Sequence, residues 1–340
     1  MTKRSHSITI RDVARQAGVS VATVSRYINH TAAVSPGVST RLNDVMNKLK
    51  YVPQATARNL ATQKTNAIGF LLTYRLYGDY FSSLLRGIEE VTGEAGLNLL
   101  IESRHPNSDG KIPPALGPHN TDGALVFVDS LNDAEITHLY DINFPMVLIH
   151  RTSPSHLHIP AVTVENKAAL IKIIDHLIEH HQRNKIVFLR GPENQEDSYW
   201  REMGYRASLE AHGIQFKPEF VLPGEFDREV AQATILKLVM ANVEFDAVFA
   251  GNDEAAIGVL GALRETGKRV PEDVAVIGFD DQNRTAPYLT PPLTTVRAPT
   301  EEVGRVAARQ LVNLIRHGQA DPLTLLPTEI VIRQSCGCTG

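Results

Sequence analysis

Ala22, Ser25, Arg26 and Asn29 recur at helical spacing within one short segment. They are small or hydrogen-bonding groups. A guanidinium can donate two parallel bonds to O6 and N7 of guanine, so such a face suits the major groove of DNA. A second set of polar residues follows apolar runs: His150 and Arg151, Asn252 and Asp253, Asp280 and Asp281. In open α/β sheets, ligands bind at the carboxyl ends of strands. Two further motifs suggest metal chemistry. His176, Glu179 and His180 fit the H-x-x-E-H pattern of inverted zinc peptidases, and Cys336-x-Cys338 offers two thiolates. The five-residue match is cheap, however, and no downstream ligand motif follows it. Histidines are also favoured at a helix C-terminus by the helix dipole. Two thiolates alone are too few for a structural zinc site. We expect no metal and no cofactor. The chain has no G-x-G-x-x-G, no G-x-x-x-x-G-K-[ST] and no G-x-S-x-G, so enzyme chemistry lacks its usual cradle or nucleophile elbow.

These residues need elements to position them. Thr9 followed by Asp12 is a capping-box-like start, and Ile10, Val13, Ala14 and Ala17 fall on one helical face. Gly18-Val19-Ser20 breaks that helix: Gly18 can take positive φ and Ser20 can cap the next helix, Val21 to about Ile28. Two short helices joined by a three-residue glycine turn are a helix-turn-helix signature. Ser35-Pro36 starts a third helix with Val38, Leu42, Val45, Met46 and Leu49 as its apolar stripe. Beyond it, apolar runs predict strands at 67–72, 97–101, 124–128, 146–149, 161–164, 186–189, 247–250 and 274–277. Helical patterns at 80–95, 166–180, 199–212, 228–241, 254–265 and 300–316 separate or follow them. This alternation predicts parallel sheets covered by helices on both faces. Residues 104–119 carry Pro106, Pro113, Pro114 and Pro118 with Gly110 and Gly117, which predicts an irregular surface loop.

Composition narrows the function. The chain has 340 residues, 43% hydrophobic and 21% charged, enough to bury a sizeable core. No stretch approaches the ~18 consecutive apolar residues of a membrane span. The basic, polar start shows no apolar leader, and two cysteines make no disulfide scaffold, so a cytoplasmic protein is expected. The net charge of −4 conceals an asymmetry. Residues 1–66 hold ten Lys/Arg against two acids, a balance of +8. The other 274 residues hold 24 against 36, a balance of −12. A basic head on an acidic body implies that the head meets a polyanion.

The motifs themselves resemble a known family. Thr9-Ile10-Arg11-Asp12-Val13-Ala14, Ala17-Gly18-Val19-Ser20, Thr23-Val24-Ser25-Arg26 and Asn29 are similar to the head of the lactose-repressor/galactose-repressor regulators of bacteria. Tyr51-Val52-Pro53 and Ala57-Arg58-Asn59-Leu60-Ala61 continue the match. So do Gly87-Ile88, Asp122-Gly123, Gly204-Tyr205, Asn252-Asp253, residues 277–281 and 292–296, and the Cys336-Gly337-Cys338 ending. The resemblance implies a small all-α head plus an α/β body of two doubly wound parallel-sheet lobes, like periplasmic sugar-binding proteins. It places the head at 1–52, a hinge helix at 53–65 and the effector and dimerisation body at 66–340. Candidate DNA contacts are Thr9, Ser20, Val21, Ala22, Thr23, Ser25, Arg26 and Asn29, with Ala57 and Leu60 in the hinge. Leu60 would act as an apolar wedge in the minor groove.

The resemblance also implies effector contacts at Arg201, Asn252 and Asp280, with Tyr80 and Phe81 at the entry of the first lobe's ligand loop, and His150, just after a strand, joins them as a candidate. A carboxylate, an amide and a guanidinium can grip vicinal hydroxyls while aromatic faces cover C–H groups, which favours a sugar or sugar derivative. Trp200 is expected either to stack on ligand or to pack between lobes, and Asp281 either to contact ligand or to serve as a helix-terminus cap or interface salt bridge. The expected protein is a homodimeric repressor of a carbohydrate-utilisation operon on a pseudo-palindromic operator, released by its effector and without a membrane partner. A co-repressed regulator with a purine or other effector is the alternative, and a transport-type binding protein a weaker one.

Overall fold

A computed structural model describes residues 8–29, 32–51, 64–73, 79–104, 114–282 and 285–339. Its contacts divide the chain into two units, Met1–Thr65 and Asn66–Gly340.

The first unit holds α1 (Ile10–Ala17), α2 (Val21–Asn29) and α3 (Pro36–Leu49). The Thr9 amide and hydroxyl both donate to Asp12 Oδ2, at 3.0 and 2.7 Å, and fix the first turn. Gly18 takes φ +64°, and the Val19 amide returns to the Ala14 carbonyl at 3.1 Å, ending α1. Ser20 Oγ then accepts the Thr23 amide at 3.0 Å and starts α2. Val13, Val24 and Leu42, one from each helix, are fully buried in a common core. Tyr27 donates to Asn43 Oδ1 at 2.8 Å and ties α2 to α3.

The second unit contains two six-stranded sheets. The first is built from β1 (Ala67–Thr73), β2 (Asn98–Arg104), β3 (Ala124–Phe127), β4 (Met146–Ile149), β5 (Ala161–Val164) and β11 (Leu323–Leu326). Its order is β11-β5-β4-β3-β1-β2 and every pairing is parallel. The second has β6 (Ile186–Arg190), β7 (Val221–Pro223), β8 (Ala247–Ala250), β9 (Ala275–Asp280), β10 (Thr294–Arg297) and β12 (Glu329–Val331), in the order β12-β10-β9-β8-β6-β7. Helices α4 (Asp79–Ala95), α5 (Asp133–Asp141) and α10 (Thr300–His317) pack on the first sheet. Helices α6 (Lys167–His181), α7 (Glu196–Ala211), α8 (Arg228–Met240) and α9 (Asp253–Glu265) pack on the second. A Cβ on Gly87 would lie 1.9 Å from the Glu301 carbonyl oxygen, and one on Gly304 2.2 Å from that of Leu84. Only glycine lets α4 and α10 approach this closely.

The chain passes between lobes after β5, after β10 and after β11. One pairing departs from the expected all-parallel sheets: β12 runs against β10. Only Pro327 and Thr328 separate it from β11. Leu326 pairs with Val164 at the end of β5, and Glu329 pairs with Arg297 at the end of β10. The strand therefore leaves one sheet at its carboxyl edge and enters the other from the carboxyl edge, which forces the antiparallel sense. Strands β7, β10, β11 and β12 and helix α5 lie outside the expected set. Residues 105–113 of the expected loop lie outside the described residues, and residues 114–120, with Pro114, Gly117 and Pro118, form bends and a turn without a helix.

Candidate functional site

In the first unit, α2 presents Ala22 and Arg26 to solvent, and Arg26 makes no ion pair among the described residues. Val21 is 42% exposed, an apolar group able to meet a thymine methyl. Thr9, Ser20 and Thr23 already serve the helix starts, with 2.8 Å between the Ser20 and Thr23 hydroxyls. Ser25 and Asn29 depart from the expected open face. Both are half-buried, and Asn29 Nδ2 donates to Ser25 Oγ at 3.2 Å, because they stand one turn apart against the rest of the head. Ala57 and Leu60 lie outside the described residues.

In the second unit, polar groups from both lobes meet at the carboxyl ends of the strands. On the first lobe, Tyr80 sits in the first turn of α4 and His150 directly after β4, with φ +59°. The Tyr80 hydroxyl bonds His150 Nε2. Phe81 and Phe127 complete an aromatic cluster, their ring centroids 5.3 Å apart and Phe127 5.7 Å from His150. On the second lobe, Arg201 is buried in α7. Its Nε donates to Asn166 Oδ1 at 2.8 Å and its terminal nitrogen to the Gly251 carbonyl at 2.6 Å. Its guanidinium carbon lies 3.5 Å from the centroid of the Phe279 ring.

Polar contacts of residues 195–197 join the lobes, among them a 3.2 Å bond from the Thr163 hydroxyl to Asp197 Oδ1. His150 Nδ1 lies 2.9 Å from Asp197 Oδ2. Glu196 Oε1 accepts the Thr152 amide at 3.0 Å and its hydroxyl at 2.8 Å. Gln195 Nε2 donates to Asp129 Oδ2 at 2.7 Å. Residues 195–197 at the start of α7 therefore latch onto the loops that follow β3 and β4.

Asp280 and Asp281 end β9 with φ +111° and +52°. Asp253 explains how this turn is held. It lies fully buried beneath Gly278, where a Cβ would come within 2.2 Å of Asp253 Oδ1. It accepts the Gln282 amide at 2.8 Å and the Thr295 hydroxyl at 2.7 Å. Burial pushes the Asp280 carboxyl well above its ordinary range. Asp253, Asp197 and Glu254 add to that rise and Arg201 opposes it. Burial also raises the Tyr80 hydroxyl, helped by Asp280 and Asp197. Asp197 goes the other way: burial would raise it, but His150, Arg201 and Asn166 together hold it below the ordinary value.

Several candidates carry structural duties. Asn252 caps α9, its Oδ1 accepting the Ala255 amide at 2.8 Å, and it donates to the Phe226 carbonyl at 3.3 Å. Asp281 is an ion-pair hub for Arg297 at 2.7 Å and Arg333 at 2.6 Å. Trp200 is 43% exposed and meets Tyr199 edge-on, so it does not pack between the lobes. Asp197, Asn166, Phe127 and Phe279 escaped the sequence reading. The signal for Asp197 was its place one helical turn before Arg201, on the same face of α7.

The two motifs set aside as metal sites meet in the fold. His176, His181, Cys336 and Cys338 bring their ligand atoms within 4.8 Å of one another. His180, the second histidine of the sequence motif, is exposed and outside this group.

A helix-turn-helix head followed by two strand-linked α/β lobes defines a DNA-binding regulator with a ligand-type body. Residues 9–54 match the model described as bacterial regulatory proteins, lacI family, and residues 174–336 match the periplasmic binding protein-like domain. The chain is 32% identical over 323 residues to the HTH-type transcriptional regulator GalS of Salmonella typhimurium, spanning 94% of this chain and 93% of that protein. It is 29% identical over 334 residues to the catabolite control protein A of Priestia megaterium, spanning 97% and 99%. Its fold matches a transcriptional regulator CelR–cellobiose complex with a TM-score of 0.73 and 28% identity, covering 96% of this chain and 99% of the other. The chain belongs to the lacI family of bacterial regulatory proteins and is a DNA-binding transcription regulator. The GalS and CelR relatives are both described as transcriptional regulators. No described helix is long and apolar enough to cross a membrane.

Proposed function

We propose that this regulator represses a carbohydrate-utilisation operon and is released from a pseudo-palindromic operator by a sugar or sugar-derivative effector. It acts in the cytoplasm as a homodimer, because one head reads one half-site. The head spans 1–52, the hinge 53–65 and the body 66–340. Thr9, Ser20 to Thr23, Ser25, Arg26, Asn29, Ala57 and Leu60 contact DNA. Tyr80, Phe81, His150, Arg201, Asn252 and Asp280 form the effector site.

The observation that carries this reading is the convergence of Tyr80 and His150 from one lobe on Asp197 of the other, with Arg201 beside it. A ligand changes DNA affinity only by binding one lobe arrangement better than another, and groups from both lobes supply that difference. The CelR relative, whose complex holds cellobiose, supports a sugar as the effector class.

The test begins with operator selection from random DNA. Mono- and disaccharides are then screened by thermal shift, and any hit is titrated against the operator complex by fluorescence anisotropy. A hit should lower operator affinity. A hit that raises it points to co-repression, and a panel without hits removes the sugar assignment. Arg26→Ala should cost ~1–3 kcal/mol and relax preference at one base pair. Unchanged selectivity in that variant would take Arg26 off the base edges.

A further inference from the structure

We propose that His176, His181, Cys336 and Cys338 form a binding site for one tetrahedral zinc ion. The histidines stand on the last turns of α6, five residues apart, and the cysteines at the 3₁₀ turn Gln334–Cys336 and just beyond it. His176 Nε2 and His181 Nε2 lie 3.3 Å apart. Cys338 Sγ is 3.6 Å from the first and 3.4 Å from the second. A tetrahedral ion at ~2.0–2.1 Å from nitrogen and ~2.3 Å from sulfur separates its ligand atoms by roughly 3.3–3.8 Å. The three distances fall in that range, and Cys336 Sγ closes the set within 4.8 Å.

The donor set selects the ion. Two thiolates and two imidazoles suit zinc and exclude magnesium or calcium, which take oxygen. The backbone is shaped to the cluster. Gly337 between the cysteines takes φ +115°, and a Cβ there would lie 2.9 Å from His181 Nδ1. Cys336 is fully buried, its thiol donating to the Arg333 carbonyl at 3.3 Å. On binding, both thiols lose their protons, so two protons leave for each zinc taken up, while the imidazoles bind in their neutral form.

Such an ion would pin the end of the chain to α6. His176 and Cys338 are 162 residues apart, so the clasp closes a long stretch of chain that runs through both lobes, and long loops gain most from closure. Arg333, three residues before Cys336, holds Asp281 at the effector side of β9. The clasp therefore anchors the segment that supports that turn.

The full-length chain, purified under reducing conditions, is incubated with zinc, desalted and analysed for metal. One zinc per chain is expected, with a melting temperature that rises on loading and falls with a chelator. Cobalt substitution should give visible d–d bands of tetrahedral intensity and a thiolate-to-cobalt charge-transfer band in the near ultraviolet. Cys336 is buried, so the variants fall on half-buried ligands. Cys338→Ser with His181→Gln should lose both the metal and the cobalt spectrum while retaining operator binding. His180→Gln should keep both, which separates this site from the sequence motif. Substoichiometric zinc in the parent, an octahedral cobalt spectrum, or metal retained by the double variant would overturn the proposal.

Discussion

On the first lobe, the cleft is walled by rings: Tyr80, Phe81, Phe127 and His150 lie edge to face. On the second, it is walled by charge: Asp197, Arg201, Asp280 and, beneath them, Asp253. The Phe81 and Phe127 rings of the aromatic wall are held by packing, which tolerates small changes of shape. The charged wall is held by buried hydrogen bonds, where one missing partner leaves others unsatisfied. Arg201 alone serves Asn166, the Gly251 carbonyl and the Phe279 ring. A ligand between them would meet a surface for C–H groups on one side and fixed hydrogen-bonding groups on the other. The charged wall should therefore govern stability and affinity together, and the aromatic wall affinity alone.

Arg201→Met is the strongest way to break that comparison. The variant keeps volume but orphans Asn166 Oδ1 and the Gly251 carbonyl. Hydrogen bonds to charged groups are worth ~1.5–3 kcal/mol each, so a stability loss of about 3 kcal/mol is expected. Effector affinity should fall at least about tenfold, a change of ~1.4 kcal/mol. Operator affinity without effector should stay near that of the parent. Denaturant melts and calorimetric titration measure the two. A variant that melts like the parent and responds fully would show that the charged wall is not the framework of the site.

How far these walls were legible depends on what made each residue conspicuous. β3, β4 and β8 are continuous apolar runs, and burial on both faces of a parallel sheet produces that pattern. β11 and β12 are short edge strands with Leu323 and Leu325 partly in solvent, so they carry no comparable run. The direction of β12 is set by topology, which local pattern does not encode. His150, Asn252 and Asp280 could be found because each lies at or just past the carboxyl end of a strand. Their partners could not be found in this way. Asp197 gains its role from His150 on the other lobe, and Asn166 from Arg201, 35 residues away. The metal motif failed for a related reason. One-turn spacing pairs His176 with His180, whereas the cysteines approach the side of α6 that carries His176 and His181.

Asp253 tests the charged wall through pH. Burial pushes its carboxyl up to about 7, with Asp281 adding to the rise and the Thr295 hydroxyl and Gln282 amide opposing it. A folded value above the unfolded one means that the native state holds the proton more tightly. This contribution is fully present below about pH 4 and is lost as pH rises through 7. The slope between those limits is about 1.4 kcal/mol per pH unit. Asp253→Asn removes the titration. The stability of the parent relative to this variant should therefore decline between pH 5 and 7 and level off at higher pH. Parallel curves for the two proteins would show that Asp253 titrates as an ordinary carboxylate and that the turn at Asp280 is held some other way.

Phe81→Leu should have the smallest effect and sharpen the comparison from the other side. Phe81 is half-buried, edge-on to Tyr80 at 5.4 Å and tilted against Phe127 at 5.3 Å. Leucine keeps an apolar side chain but loses the ring. Volume-conserving apolar exchanges cost less than ~1.5 kcal/mol, and no buried polar group is orphaned, so the melting temperature should shift little. A flat ring against the C–H face of a sugar is worth ~0.5–1.5 kcal/mol beyond its area, so effector affinity should weaken by roughly two- to tenfold. Operator affinity without effector should not change. The informative quantity is the ratio of lost affinity to lost stability, which should be high for Phe81→Leu and low for Arg201→Met. Equal ratios would mean that the two walls share one mechanical role and that rings and charges do not divide the work.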